Sequence, residues 1–211
     1  MSSSEPAVDD VLDTPFFLRW LIAAAGSVDR EAARLTDLDS AIGDADHGTN
    51  MQRGFAAVAE ALEKEPPGSP GAALVLAGRQ LISKVGGASG PLYGTLLRRA
   101  GKALGDAGQV TPRQLADALR AGVDAVAQLG GATPGDKTML DALLPAVEAL
   151  GAGAGSFPAA AEAAEKGALA TVPMQARKGR ASYLGERSVG HQDPGATSSA
   201  LIIAALAEAA R

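Results

Sequence analysis

The chain has 211 residues, 46% of them apolar and 20% charged, which suits one globular domain and excludes an intrinsically disordered chain. Its 24 acidic and 19 basic residues leave a net charge of −5, which excludes the basic footprint of a nucleic-acid binder. The absence of cysteine excludes disulfides, thiolate metal sites and cysteine nucleophiles, and agrees with a cytoplasmic location.

Met1 to Asp13 is Ser-rich and acidic and reads as a flexible tail ahead of one helical domain, 14–211. With 46 alanines and only 3% aromatic residues, that domain is expected to be all-α. Pro15 to Ala25 predicts a short helix that opens on proline. Ser27 or Asp29 then caps a second helix, with Val28, Ala32, Leu35, Leu38 and Ile42 on one face. Gly43 to Gly48 breaks it, and a third helix runs from Thr49 to Lys64 before Pro66-Pro67-Gly68. Ser69 starts a fourth, and Gly86 to Gly90 stops it ahead of a fifth near Pro91. Thr111-Pro112-Arg113-Gln114 has the form of a capping box and opens a helix with Leu115, Leu119, Val123 and Val126 facing inward. Thr138 to Leu150, Phe157 to Gln175 and Thr197 to Arg211 complete about eight or nine helices, with no convincing strand pattern. The longest uncharged apolar run, Ser198 to Ala207, is too short to span a bilayer.

Polar residues concentrate in the turns between these helices. The first cluster, Leu38 to Asn50, places Asp39, Asp44 and Asp46 within eight residues, followed by His47. On a continuous helix Asp39 and Asp44 would lie roughly 140° apart. A break at Gly43 lets Asp44 and Asp46 turn back toward Asp39, giving an oxygen-rich set suited to Mg²⁺. An isolated Asp-x-Asp is most often an ordinary turn, but the company of His47, Asn50 and two more clusters favours a site. The second cluster, Gly86 to Thr95, sets a glycine-rich turn and Ser89 ahead of a helix, an arrangement that brings backbone amides to an anion. No Gly-Lys-Ser/Thr follows, so it is not a Walker loop. The third is Gly130 to Asp141, and the fourth, Arg177 to Ala196, holds the densest basic run in the chain. Side-by-side helices would gather alternate turns at one end of the bundle and so build one site.

Four stretches carry a family resemblance, in one order along the chain. They are Leu-Asp-Ser-Ala-Ile-Gly-Asp-Ala-Asp-His-Gly-Thr-Asn (38–50), Gly-Gly-Ala-Ser-Gly-Pro-Leu-Tyr-Gly-Thr (86–95), Gly-Asp-Lys-Thr-Met-Leu-Asp-Ala-Leu (135–143) and Gly-Glu-Arg-Ser-Val-Gly-His-Gln-Asp-Pro-Gly-Ala (185–196). Together the sequence resembles the nucleotide-binding L subunits of dihydroxyacetone kinases that work with the phosphoenolpyruvate phosphotransferase system. The resemblance implies a single-domain barrel of eight antiparallel helices with the nucleotide site in the loops at one end, holding tightly bound ADP and two Mg²⁺. It implies that Asp39, Asp44 and Asp46 are the metal-binding carboxylates and serve the transfer. It further implies that His47, Thr49, Asn50, Ala88 and Ser89 meet the nucleotide phosphates. Gly130 or Gly131, Met139, Arg187, Asp193, Pro194 and Gly195 would enclose the nucleotide. One departure is Ala45, where the family usually has glycine.

The partners implied are an M subunit, whose phosphohistidine recharges the nucleotide, and a K subunit, which holds dihydroxyacetone. A transcription regulator and a second copy of the chain stay open as further partners, while nucleic acid and membrane are not expected. Two rival readings are the L-like part of an ATP-dependent kinase and a nucleotide-loaded regulatory module without transferase activity. The length argues against a fused kinase, and the full acidic turn argues for catalysis.

Overall fold

Helix starts along the chain are set by caps that the sequence supplies. Asp13 accepts from the Phe16 amide (2.9 Å), Ser69 from Ala72 (3.1 Å) and Asp193 from Ala196 (2.7 Å). The box at Thr111 closes in both directions, Thr111 with the Gln114 amide at 3.2 Å and the Gln114 side chain with the Thr111 amide at 2.8 Å. In the computed structural model, which describes residues 11–153 and 156–211, these starts define eight α-helices. They are α1 (Thr14–Ile42), α2 (His47–Lys64), α3 (Pro70–Lys84), α4 (Ser89–Leu104), α5 (Pro112–Gly130), α6 (Leu140–Gly151), α7 (Phe157–Ala170) and α8 (Pro194–Ala209). A 3-10 segment, Arg180–Ser188, lies between α7 and α8.

Each helix packs on the next in sequence, and α8 returns to pack on α1, which closes a ring of eight. The all-α single domain expected from composition is therefore what the chain forms. Trp20, fully buried on α1, joins the two ends of the ring through its indole N–H, which donates to the Ile202 carbonyl of α8 at 2.9 Å. Small residues let neighbouring helices approach closely. A Cβ added at Gly78 of α3 would stand 2.7 Å from the Gly94 carbonyl of α4, and one at Gly94 would stand 2.7 Å from the Gly78 carbonyl. The alanine- and glycine-rich composition thus buys tight crossings in place of bulky interdigitation.

Three expectations change. The two helices predicted before Gly43 are one helix of 29 residues, so Ser27 and Asp29 cap nothing. A continuous buried stripe of Phe17, Trp20, Ala24, Val28, Ala32 and Leu35 spans the predicted break, and its burial outweighs the local capping signals. A two-residue antiparallel pair also exists, β1 (Leu12–Asp13) with β2 (Gln109–Val110), too short to show alternation in the sequence. Leu12 and Asp13, the last residues of the expected tail, are therefore paired, whereas residues 1–10 of that tail lie outside the described residues. Finally, α2, α4 and α8 begin two or three residues earlier than expected, at His47, Ser89 and Pro194, and α7 ends at Ala170 rather than Gln175.

Candidate functional site

The α1–α2, α3–α4, α5–α6 and α7–α8 connections all reach one cavity of about 530 Å³. Alternate connections meeting at one end is the arrangement of helices that run antiparallel round the ring. One wall is polar, with Asp39, Asp44, Asp46, His47 and Ser89. Other lining residues are apolar, among them Leu92, Val126, Leu129, Met139 and Leu140. A ligand with one highly charged end and one flat apolar end matches this division.

The helix break at Gly43 does bring the three carboxylates together: one oxygen from each of Asp39, Asp44 and Asp46 lies within 4.8 Å of the others. Asp39 is buried, and its Oδ2 accepts from the Asp46 and His47 amides at 2.9 and 3.1 Å, which pins the turn against the end of α1. Asp44 accepts from Arg180 at 3.0 Å. Three carboxylates this close repel one another, and a hard, oxygen-preferring divalent cation is the partner that relieves them. The donor set therefore fits Mg²⁺. The turn passes through Ala45 at φ +62°, a left-handed conformation that costs a side-chain-bearing residue about 1–2 kcal/mol. Ala45→Gly is expected to raise stability by about 1 kcal/mol in denaturant titration, net of the entropy that glycine adds to the unfolded chain. A decrease would mean that the turn is not strained.

His47 begins α2 and is 7% exposed. Its Nε2 lies 2.9 Å from Ser198 Oγ and its Nδ1 3.2 Å from Ser89 Oγ. Burial lowers its pKa, while the charges of Asp39 and Asp46 and the Pro194 carbonyl pull the other way. Ala88 and Ser89 line the cavity where Gly86-Gly87 turns into α4. Asp193, Pro194 and Gly195, at the start of α8, line the cavity as well. Asp193 is buried, and desolvation pushes its pKa up to about 7 although the Ala196 amide bonds to it. Folded-state Asp193 then holds its proton up to a higher pH than in the unfolded chain, so stability falls as pH rises from about 4 to about 7. Asp193→Asn keeps the cap and is expected to flatten that fall, measured as unfolding free energy across this range. An unchanged slope would mean that Asp193 does not titrate there.

Gly130 and Met139 also line the cavity. Thr49, Asn50, Arg187 and Gly131, the alternative to Gly130, do not line this cavity. Thr49 is exposed on the first turn of α2, and Asn50 is buried behind the wall, accepting from Arg53 at 2.6 Å. Gly131 closes α5 in a left-handed cap, at φ +56°. Arg187 is exposed on the 3-10 segment and does not line the cavity. The basic residues that do line it are Lys137, Lys178 and Arg180. Arg180 is carried there by a small apolar contact of Ala176, Ala181 and Leu184 with Ile42 at the end of α1. Lys137 is 1% exposed, and its ammonium donates to the Met174 carbonyl at 3.0 Å and the Ser188 carbonyl at 2.7 Å, lacing the α5–α6 connection to the α7–α8 connection. Burial lowers its pKa, opposed by Asp193. Its only sequence signal was its place in the polar turn Gly135-Asp136-Lys137-Thr138, since a lysine is seldom fully buried. Tyr93, also unmarked in sequence beyond its glycine-rich neighbours, is buried with its hydroxyl among Gly195, Ser198 and Ser199.

Residues 41–208 match the model of the DAK2 domain family. The ADP-binding subunit DhaL of the PEP-dependent dihydroxyacetone kinase of Escherichia coli (strain K12) is 48% identical over 201 residues, covering 92% of this chain and 96% of its own length. The corresponding subunit of kinase 1 of Listeria innocua is 41% identical over 194 residues, at 92% and 96% coverage. Among solved structures, the dihydroxyacetone kinase from C. freundii in complex with AMP-PNP and Mg²⁺ superposes with a TM-score of 0.74 at 27% identity. That match covers 99% of this chain but only 36% of the C. freundii chain. Among the described residues no helix is long and apolar enough to cross a membrane. A ring of eight helices around a loop-built cavity, the match to the family model and nearly full-length relatives lead to one assignment: the chain belongs to the DAK2 domain family.

Proposed function

We propose that the chain is the ADP-binding subunit of a phosphoenolpyruvate-dependent dihydroxyacetone kinase, a cytoplasmic phosphotransferase component working between an M subunit and a K subunit. The observation that carries this reading is the convergence of Asp39, Asp44 and Asp46 at the polar wall of the cavity. Phosphoryl transfer asks a protein for position and charge neutralisation more than for covalent chemistry, and those are the parts found here.

In this reading Asp39, Asp44 and Asp46 hold two Mg²⁺, and Arg180 exchanges its pairing with Asp44 for the nucleotide phosphates. Three carboxylates and about three negative charges of ADP against two Mg²⁺ leave about −2, which Lys178 and Arg180 offset from the rim. The amides from Gly87 to Ser89, at the start of α4, would supply donors to the phosphates. Leu92, Leu129 and Met139 receive the base and exclude water from one side of it. When bound, the nucleotide supplies the oxygen that receives the phosphoryl group and later gives that group up. Tight retention of ADP follows from a metal-tethered nucleotide, because release requires breaking phosphate, metal and apolar contacts together. Thr49, Asn50, Gly131 and Arg187 are proposed to act around the wall that touches the nucleotide, by supporting the turns that carry it.

The test is product formation with a K subunit and dihydroxyacetone, comparing the phosphoenolpyruvate system with ATP as donor. Dihydroxyacetone phosphate formed only with the phosphoenolpyruvate system is the expected result. Product from ATP alone would make the chain part of an ATP-dependent kinase. No product from either donor would replace transfer with a regulatory role.

A further inference from the structure

We infer that Lys137 is a positioning residue that clasps the two ends of the basic segment 174–188 and so sets Lys178 and Arg180 in the wall of the cavity. Resting on the reading of the cavity as a nucleotide site, this gives Lys137 a task carried out through other side chains rather than a contact with the ligand.

The segment depends on hydrogen bonds for its placement. Its apolar anchorage is small, Ala176 and Ala181 with the partly buried Leu184 against Ile42, while Arg177, Lys178, Arg180 and Arg187 are exposed. Four basic side chains so close in sequence repel one another and favour an open, solvated stretch. Ser188, fully buried, closes the segment on itself: its hydroxyl accepts from the Ala176 amide at 2.9 Å and donates to the Gly185 carbonyl at 2.6 Å. Lys137 then joins both ends to the α5–α6 connection, donating to the Met174 carbonyl at 3.0 Å and to the Ser188 carbonyl at 2.7 Å. Beside it the Arg177 amide donates to the Asp136 carbonyl at 3.0 Å. Every one of these bonds has a backbone amide or carbonyl on one side, so its direction is fixed.

The connection that carries Lys137 is built to present it. Lys137 sits at φ +63°, a left-handed conformation that side-chain-bearing residues rarely adopt. Asp141 holds the chain on both sides of it, accepting from the Gly135 amide at 2.6 Å and the Thr138 amide at 2.8 Å. Such strain persists only where the surroundings over-determine it. An apolar side chain of the same length would fill the space with no polar group to desolvate, so what the amine adds is its hold on two carbonyls. Between those carbonyls Lys178 and Arg180 line the cavity, and Arg180 meets Asp44 at 3.0 Å. Freed from Lys137, the segment would carry both charges away from the cavity while the ring of helices stays closed.

Hydrogen exchange of the unliganded protein and calorimetric titration with ADP and Mg²⁺ test the clasp. Lys137→Met keeps the length of the side chain and the same backbone constraint. It is expected to speed exchange of the Ala176, Arg177 and Gly190 amides by about ten-fold or more and to leave the amides of α3 and α4 unchanged. Unchanged exchange in the segment, or equal acceleration in every helix, would overturn the inference. ADP affinity is expected to weaken about ten-fold in Lys137→Met and at least as much in Lys178→Ala/Arg180→Ala, while Lys137→Met added to that pair weakens it by no more than about two-fold further. Losses that multiply would show that Lys137 acts on the nucleotide directly or through its charge alone, and the positioning role would fall. Should Lys137→Met not fold, Ser188→Ala opens the same clasp from its other side and is expected to give the same exchange pattern and the same cycle. If the unaltered protein binds no ADP, the nucleotide reading fails, while hydrogen exchange still decides whether Lys137 holds the segment.

Discussion

Asp44→Asn is expected to lower bound Mg²⁺, bound ADP and the rate of phosphoryl transfer together, the last by about 100-fold or more. Asp44 is one of the two exposed members of the acidic cluster and also pairs with Arg180, at 3.0 Å. The substitution removes one of three charged ligands while leaving shape and volume nearly unchanged. Its cost to stability is small by the same geometry. An exposed ion pair contributes at most about 1 kcal/mol, and relief of repulsion with Asp39 and Asp46 offsets part of that. The expected result is therefore a protein with an almost unchanged unfolding transition and little function. Metal content, nucleotide released on denaturation and transfer rate, all from one preparation, check it. Normal values for all three would reduce Asp44 to a turn residue and remove the main support for a metal-tethered nucleotide. A lost fold with normal residual binding would point to packing instead.

Gly48→Ala is expected to destabilise the protein by about 3 kcal/mol or more, lowering Tm by roughly 6–12 °C for a chain of this size. Gly48 lies in the first turn of α2 where it crosses α1. A Cβ there would stand 2.0 Å from the Ala32 carbonyl oxygen, 2.4 Å from Thr36 Oγ1 and 2.7 Å from the Thr36 amide. Two of these three atoms belong to the backbone of α1, so no side-chain rotation relieves the clash and α2 must move away. Because α2 begins at His47, directly after Asp46, that movement also opens the acidic cluster. Nucleotide binding is therefore expected to weaken along with stability. Gly68→Ala is the matched control: its added Cβ meets nothing within 4 Å, and stability is expected to change by no more than about 1 kcal/mol. Thermal melts of both variants beside the parent decide the point; equal behaviour would mean that the α1–α2 crossing is not tight.

Much of the molecule was legible in the sequence because its signals are local. The capping box at Thr111, the prolines that open helices and the glycine-rich turns place nearly every helix by short-range chemistry. Asp39, Asp44 and Asp46 lie within eight residues, so a single break at Gly43 was enough to predict their meeting. The family was legible for the same reason, its marks being contiguous motifs in the turns.

The tertiary structure decided what depends on residues far apart. Whether Ser27 and Asp29 start a helix or lie inside one depended on burial of the Phe17-to-Leu35 stripe, a larger energy than a cap supplies. The β1–β2 pair joins Leu12 to Val110, too few residues for any periodic pattern. In the basic run, Arg180 reaches the cavity and Arg187 does not, because the contact of Ala176 and Ala181 with Ile42 fixes which side of the 3-10 segment faces inward. Lys137 is buried because the Met174 and Ser188 carbonyls, 37 and 51 residues away, are there to accept its protons. Local propensity sets where helices start, but which polar side chains enter the cavity is set by hydrogen bonds and apolar contacts that exist only once the ring has closed.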